Sequence, residues 1–150
     1  MTLHNIEYYQ VARVLETWDA AHRALKGKSF EEEFGRHLIG KLVVLQPRIK
    51  AFYKDEEVMQ KHADNVVHLL DSILQMLGED DEFIEEILTQ VGHRHTKMGV
   101  NPGFFPYMGQ SLIWTLTRTI PDEMTDESRE AWEEVFGAMS QVIVRAALDA

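Results

Sequence analysis

The chain has 150 residues, no cysteine and a formal net charge of -10. Its length suits one domain, residues 1–150, with a single core. The lack of cysteine excludes disulfides, thiolate zinc sites, iron–sulfur clusters and cysteine nucleophiles, and the acidity argues against binding to nucleic acid or to an anionic membrane surface.

The N-terminal segment MTLHNIEYYQ has neither the basic n-region nor the apolar h-region of a secretory signal peptide. No apolar run approaches the roughly 18–20 residues that cross a bilayer. We therefore expect no membrane insertion and a cytoplasmic location.

Helical periodicity dominates the sequence, which predicts an all-α fold. Ser29, Asp55 and Thr125 are typical N-cap residues, while Gly27 and Gly78 suit helix C-termini. These signals predict six main helices, over about residues 5–25, 29–45, 55–77, 81–98, 102–119 and from 125 onward, with a short additional helix after Pro47. Because Pro106 follows Pro102 closely, the start of the fifth helix is not defined by the sequence.

Two of the seven histidines lie on apolar stripes. His62 shares a helix face with Val58 and Val66, and His95 shares one with Val91. His93 and His95 cannot bind the same metal ion, because residues two positions apart on a helix point about 200° away from each other.

A lone histidine on an apolar face is more often a hydrogen-bonded core residue than a ligand, so that alternative stands beside any functional one. A zinc site would need further ligands, and no HExxH motif is present. Two imidazoles directed inward from two helices suit a flat, apolar, metal-bearing partner between them.

With these residues, nearly the whole chain, from about Val11 to Val144, resembles the globins. The resemblance rests on an ordered set of positions: Trp18, Pro47, an aromatic at Phe52 or Tyr53, His62 with Val66, His95 with the corner Met98-Gly99-Val100-Asn101-Pro102, and Trp132. Single-domain microbial or neuroglobin-like members look most similar. The main departures are the short stretch between Phe52 and His62 and the ambiguity between Phe52 and Tyr53.

The resemblance implies a globin fold that binds haem b (iron protoporphyrin IX) between the helices carrying His62 and His95. His95 would ligate the iron, with its other N–H donated to a backbone carbonyl near Val91 or Gly92. The resemblance also implies that the porphyrin is buried by Phe52 or Tyr53, Val66, Val91, Val100 and Phe105. Ile39, then Leu38, is the expected residue of the second helix over the distal side.

His62 has two roles under this resemblance. It could donate a hydrogen bond to a gas held at an open site, or it could ligate the iron itself in a six-coordinate site.

The resemblance leaves the biological role open. The first role is reversible binding, storage or transport of O2, CO, NO or a similar small ligand. The second is an enzyme, a nitric oxide dioxygenase or one acting on nitrite or peroxide, which would need a separate reductase. The third is a gas or redox sensor with a partner protein.

Overall fold

The computed structural model describes residues 3–150, apart from the side chain of His4. Six α-helices make up most of this part of the chain: α1 (Tyr8–Ala24), α2 (Phe30–Leu45), α3 (Glu56–Met76), α4 (Asp81–Lys97), α5 (Phe105–Thr119) and α6 (Asp126–Asp149). Short 3-10 helices lie at Leu3–Asn5, Pro47–Phe52 and Pro102–Phe104. The predicted all-α fold with six main helices and a short helix after Pro47 is therefore confirmed.

Side-chain caps begin three helices where the sequence predicts them. Ser29, Asp55 and Thr125 each accept a hydrogen bond from the backbone N–H three residues later, and so satisfy a donor that has no partner within the helix.

The first helix begins later than predicted, at Tyr8 rather than near Asn5. Glu7 and Gln10 form a reciprocal capping box, in which the Gln10 side chain accepts from the Glu7 backbone N–H at 3.0 Å. Because the cap stands at Glu7, Leu3–Asn5 forms a separate 3-10 turn. The fifth helix likewise follows a 3-10 turn and carries Pro106 in its first turn, where a missing N–H costs little.

Gly99 closes α4 in a way that affects the site. Its φ of +80° is in the left-handed region that favours glycine. This turn lets the Val100 backbone N–H donate to the His95 carbonyl at 3.0 Å. The chain after α4 is thereby folded back beneath the turn that carries His95.

Two buried tryptophans join three helices. The rings of Trp18 on α1 and Trp132 on α6 lie with centroids 5.9 Å apart. The indole N–H of Trp132 donates to the Thr17 hydroxyl, and that of Trp18 donates to the Asp71 carboxylate of α3, both at 2.7 Å. These bonds satisfy the polar ends of two large apolar side chains and hold α3 and α6 against α1.

The helix that carries His95 packs closely on α6. A Cβ added at Gly92 would collide with the Ile143 carbonyl oxygen and come within 2.9 Å of the Ala146 Cβ. One turn later, the Thr96 hydroxyl donates to the Ala147 carbonyl at 3.0 Å. The backbone on both sides of His95 is therefore held directly by α6.

The helix that carries His62 packs in a similar way on α2. A Cβ at Gly35 would lie 3.1 Å from the Cβ of Ala63, the residue that follows His62. Both Gly35 and Ala63 are buried. Within residues 3–150, none of the helices is both long and apolar enough to cross a membrane.

Candidate functional site

A largely apolar cleft opens between α3 and α4. Its cavity volume is about 150 Å3. Twelve residues line it: Leu42, Ile49, Phe52, Tyr53, Val58, His62, His95, Met98, Val100, Phe104, Phe105 and Met108. Only Tyr53 and the two histidines bring polar side-chain atoms to this wall.

His95 is held in one orientation by its own helix. Its Nδ1 lies 2.8 Å from the Val91 carbonyl oxygen. A carbonyl can only accept, so Nδ1 carries the proton and Nε2 keeps its lone pair. The ring also packs edge-on against Phe105, with centroids 5.2 Å apart. The backbone carbonyl that the sequence predicts as the partner of His95 is thus that of Val91.

His62 has a different partner. Its Nδ1 lies 2.7 Å from the Tyr53 hydroxyl. Burial, and then the nearby charge that His95 would carry, lower the pKa of His62 to about 4. Burial also raises the pKa of Tyr53 to about 12. At neutral pH the pair therefore consists of a neutral imidazole and a neutral phenol.

The two imidazoles face each other across the cleft with their ring centroids 6.3 Å apart and their planes at 60°. A direct N–H···N hydrogen bond would bring the centroids to about 5 Å, which is closer than they stand. Two imidazoles on opposite sides of one metal ion, each with a metal–nitrogen bond of about 2 Å, have centroids about 6 Å apart. The separation of the two rings therefore leaves room for a metal ion between two imidazole donors.

The mouth of the cleft has apolar residues on both sides. Val58 lies one turn before His62, and Met98 lies just after the end of α4. They are 40% and 61% exposed. A flat apolar group between the histidines would cover the side chains of Val58 and Met98. Such burial is favourable, because the free energy gained grows with the apolar area that is buried.

The cleft brings together most of the residues proposed from the sequence. Phe52, Tyr53, His62, His95, Val100 and Phe105 all line it. Val66 and Val91 do not: Val66 packs against the main core, and Val91 is buried in that core and contributes its carbonyl oxygen. Both aromatic candidates, Phe52 and Tyr53, line the cleft. Of the two, Tyr53 is the one that forms a hydrogen bond with His62.

The residue of α2 at the cleft differs from the one expected. The sequence points to Ile39 or Leu38, but both are fully buried in core clusters. Leu42 lines the cleft instead. Ile39 and Leu42 are neighbours on the same face of α2, and the rotation of that helix about its axis decides which of them borders the cleft.

Five further lining residues were not proposed as site residues from the sequence: Ile49, Val58, Met98, Phe104 and Met108. They follow the same apolar patterns as core residues, so no local signal separates them from the core. Elsewhere in residues 3–150, no group of three or more histidine or acidic side chains is arranged to hold a metal ion.

Comparison with known proteins gives both sequence and structural relatives. The chain is 31% identical over 78 residues to flavohemoprotein A of Dictyostelium discoideum and 28% identical over 65 residues to the flavohemoprotein of Rhizobium meliloti (strain 1021). These matches cover 52% and 43% of this chain, but only 20% and 16% of the two relatives. The chain thus spans about a fifth or less of the relatives it matches.

A solved structure described as a hexacoordinated heme protein from an anhydrobiotic tardigrade has a TM-score of 0.80 to this chain, covers 96% of both chains and is 17% identical in sequence. At this identity the likeness shows the shared fold. The family model described as Globin matches residues 47–143, which include both histidines and every lining residue of the cleft except Leu42. The chain belongs to the globin family.

Proposed function

We propose that this chain binds haem b in the cleft between α3 and α4, where His95 and His62 would both hold the iron. The observation that carries the proposal is the 6.3 Å separation of the two ring centroids. Each ring has its Nδ1 hydrogen-bonded, to Val91 or to Tyr53. Nε2 is then free to bind a metal in His95, and also in His62 when its Nδ1 carries the proton.

The remaining cleft residues suit the porphyrin. Phe52, Val100 and Phe105 offer apolar surface, and Val58 and Met98 flank the mouth. Burial of a large apolar cofactor against such a wall stabilises the bound state by about 25 cal/mol per Å2. By linkage, the haem-bound protein is expected to melt at a higher temperature than the apo-protein.

We further propose that O2, CO or NO binds reversibly at this site in competition with His62. Haem iron supplies the centre that takes such a gas. His62 would have to give way for a diatomic molecule to reach the iron. His95 stays in place, because α6 holds its helix on both sides.

A haem titration of the apo-protein tests the proposal. The expected result is a Soret band that saturates at one equivalent of haem, with sharp low-spin bands in the reduced form and a shift of the band on addition of CO. A titration that never saturates, or one without a Soret band, would overturn haem binding at this cleft.

Redox chemistry with a separate reductase is a second candidate function. It is favoured by the sequence matches to two flavohemoproteins, of which this chain covers the smaller part. The test is nitric oxide consumption by the haem-loaded chain in the presence and absence of a flavoprotein reductase. Reductase-dependent turnover would support the enzyme, and slow autoxidation with reversible O2 binding would support gas carriage.

A further inference from the structure

The two histidines of the cleft differ in the kind of atom that holds them. The partner of His95 is a backbone carbonyl, which can only accept a hydrogen bond. The partner of His62 is the Tyr53 hydroxyl, which can donate as well as accept. His95 is therefore held in the one tautomer that leaves Nε2 free, whereas His62 can adopt either tautomer without losing its partner.

Each tautomer of His62 supports a different state of the site. When Nδ1–H donates to the Tyr53 oxygen, Nε2 has a lone pair that can bind iron. When Tyr53 donates to Nδ1, Nε2 carries the proton and becomes a hydrogen-bond donor toward the cleft. In the first tautomer His62 can act as a ligand of the iron. In the second it can donate a hydrogen bond to a gas bound at the iron.

We propose that Tyr53 is a positioning residue that strengthens the bond of His62 to the iron in the resting state and remains its hydrogen-bond partner when His62 is displaced. This inference rests on the proposed haem site. Outer hydrogen-bond partners of metal-bound histidines orient the ring and raise its basicity, and their loss typically weakens metal binding about 10–100-fold.

The position of Tyr53 suits this role, because the residue is held by the protein independently of His62. Its backbone N–H donates to the Lys50 carbonyl at 3.0 Å and closes the 3-10 helix Pro47–Phe52. Its ring packs against the second core cluster, around Ile39, Leu42 and Ile49. The hydroxyl is thus presented to His62 from a fixed support.

Tyr53→Phe tests the inference, because it removes one oxygen and keeps the ring. Weaker competition from His62 should raise the affinity of the reduced, haem-loaded protein for CO about 10–100-fold, and the low-spin fraction should fall. Tyr107→Phe is the matched control: Tyr107 packs on the same cluster but does not line the cleft. It should leave both quantities unchanged.

A second comparison separates this role from a general structural one. In a His62→Ala background, Tyr53→Phe should no longer change CO affinity, since the residue through which it acts is gone. Wild-type CO affinity in Tyr53→Phe, or an equal gain in the His62→Ala background, would overturn the inference. If the wild type formed no Soret band, the proposed function itself would fail.

Discussion

Val91 and His95 form a hydrogen bond within one turn of α4, with the imidazole Nδ1 2.8 Å from the carbonyl oxygen. This bond leaves Nε2 of His95 as a permanent lone-pair donor to the cleft. We therefore expect His95 to be the ligand that stays in place.

Replacement of His95 by alanine should abolish stable haem binding, because it removes the fixed ligand. The measurement is the Soret absorbance that remains with the protein after gel filtration. His93→Ala is the matched control: His93 lies on the same helix outside the cleft lining, and this variant should retain haem. Full retention by His95→Ala would contradict the assignment.

Gly92→Ala should destabilise the protein, because a Cβ there collides with the Ile143 carbonyl and approaches Ala146. We expect a loss of about 1–3 kcal/mol in the free energy of unfolding, measured with denaturant. Gly137→Ala is the control: it is also in a helix, but a Cβ there meets nothing within 4 Å. That change should be neutral or stabilise by up to about 1 kcal/mol, since alanine restricts the unfolded chain. Equal effects of the two substitutions would show that α4 and α6 can separate freely.

Acid should destabilise the apo-protein through His62. The pKa of His62 is about 4 in the folded protein and about 6.5 when unfolded. As the pH falls below about 6.5, the unfolded chain takes up a proton that the folded chain refuses, so stability is lost down to about pH 4. The full difference is at most about 3 kcal/mol.

Denaturation of the apo-protein at several pH values, compared with His62→Leu, measures this contribution. The stability difference between the two proteins should change between pH 6.5 and 4 and be constant above pH 7.5. A pH-independent difference between wild type and His62→Leu would show that His62 titrates normally.

The apolar mouth should contribute to haem retention. Met98→Ser should speed haem transfer to an acceptor protein about tenfold, equivalent to about 1.4 kcal/mol, because the cofactor would cover apolar surface of a side chain that the protein leaves largely exposed. The stability of the apo-protein should change little, since Met98 is 61% exposed. Val44→Ser is the control, as Val44 is 69% exposed on α2 and away from the cleft. Equal transfer rates for the two variants would exclude a role for the mouth.

The sequence predicts the helices well because their ends depend on local chemistry. Caps such as Ser29 and Asp55 act on donors three residues away, and a glycine such as Gly99 marks a turn that other residues rarely adopt. The predicted start of α1 is wrong because Glu7 and Gln10 form the cap, without a serine, threonine, asparagine or aspartate at the N-cap position.

The site is less completely predictable, since it depends on how helices rotate and approach one another. Periodicity alone selects His62 and His95. It does not distinguish Leu42 from Ile39, which are neighbours on one face. The Tyr53–His62 bond depends on the extended turn between the 3-10 helix and α3, and no helical pattern describes that turn.

The visible spectrum of the haem-loaded protein in both oxidation states, for wild type and His62→Ala, tests directly whether both histidines bind the iron. We expect a low-spin, six-coordinate spectrum in wild type and a high-spin, five-coordinate spectrum in the reduced variant. A high-spin reduced wild type, or low-spin bands that survive in His62→Ala, would contradict the claim that His62 and His95 share the iron.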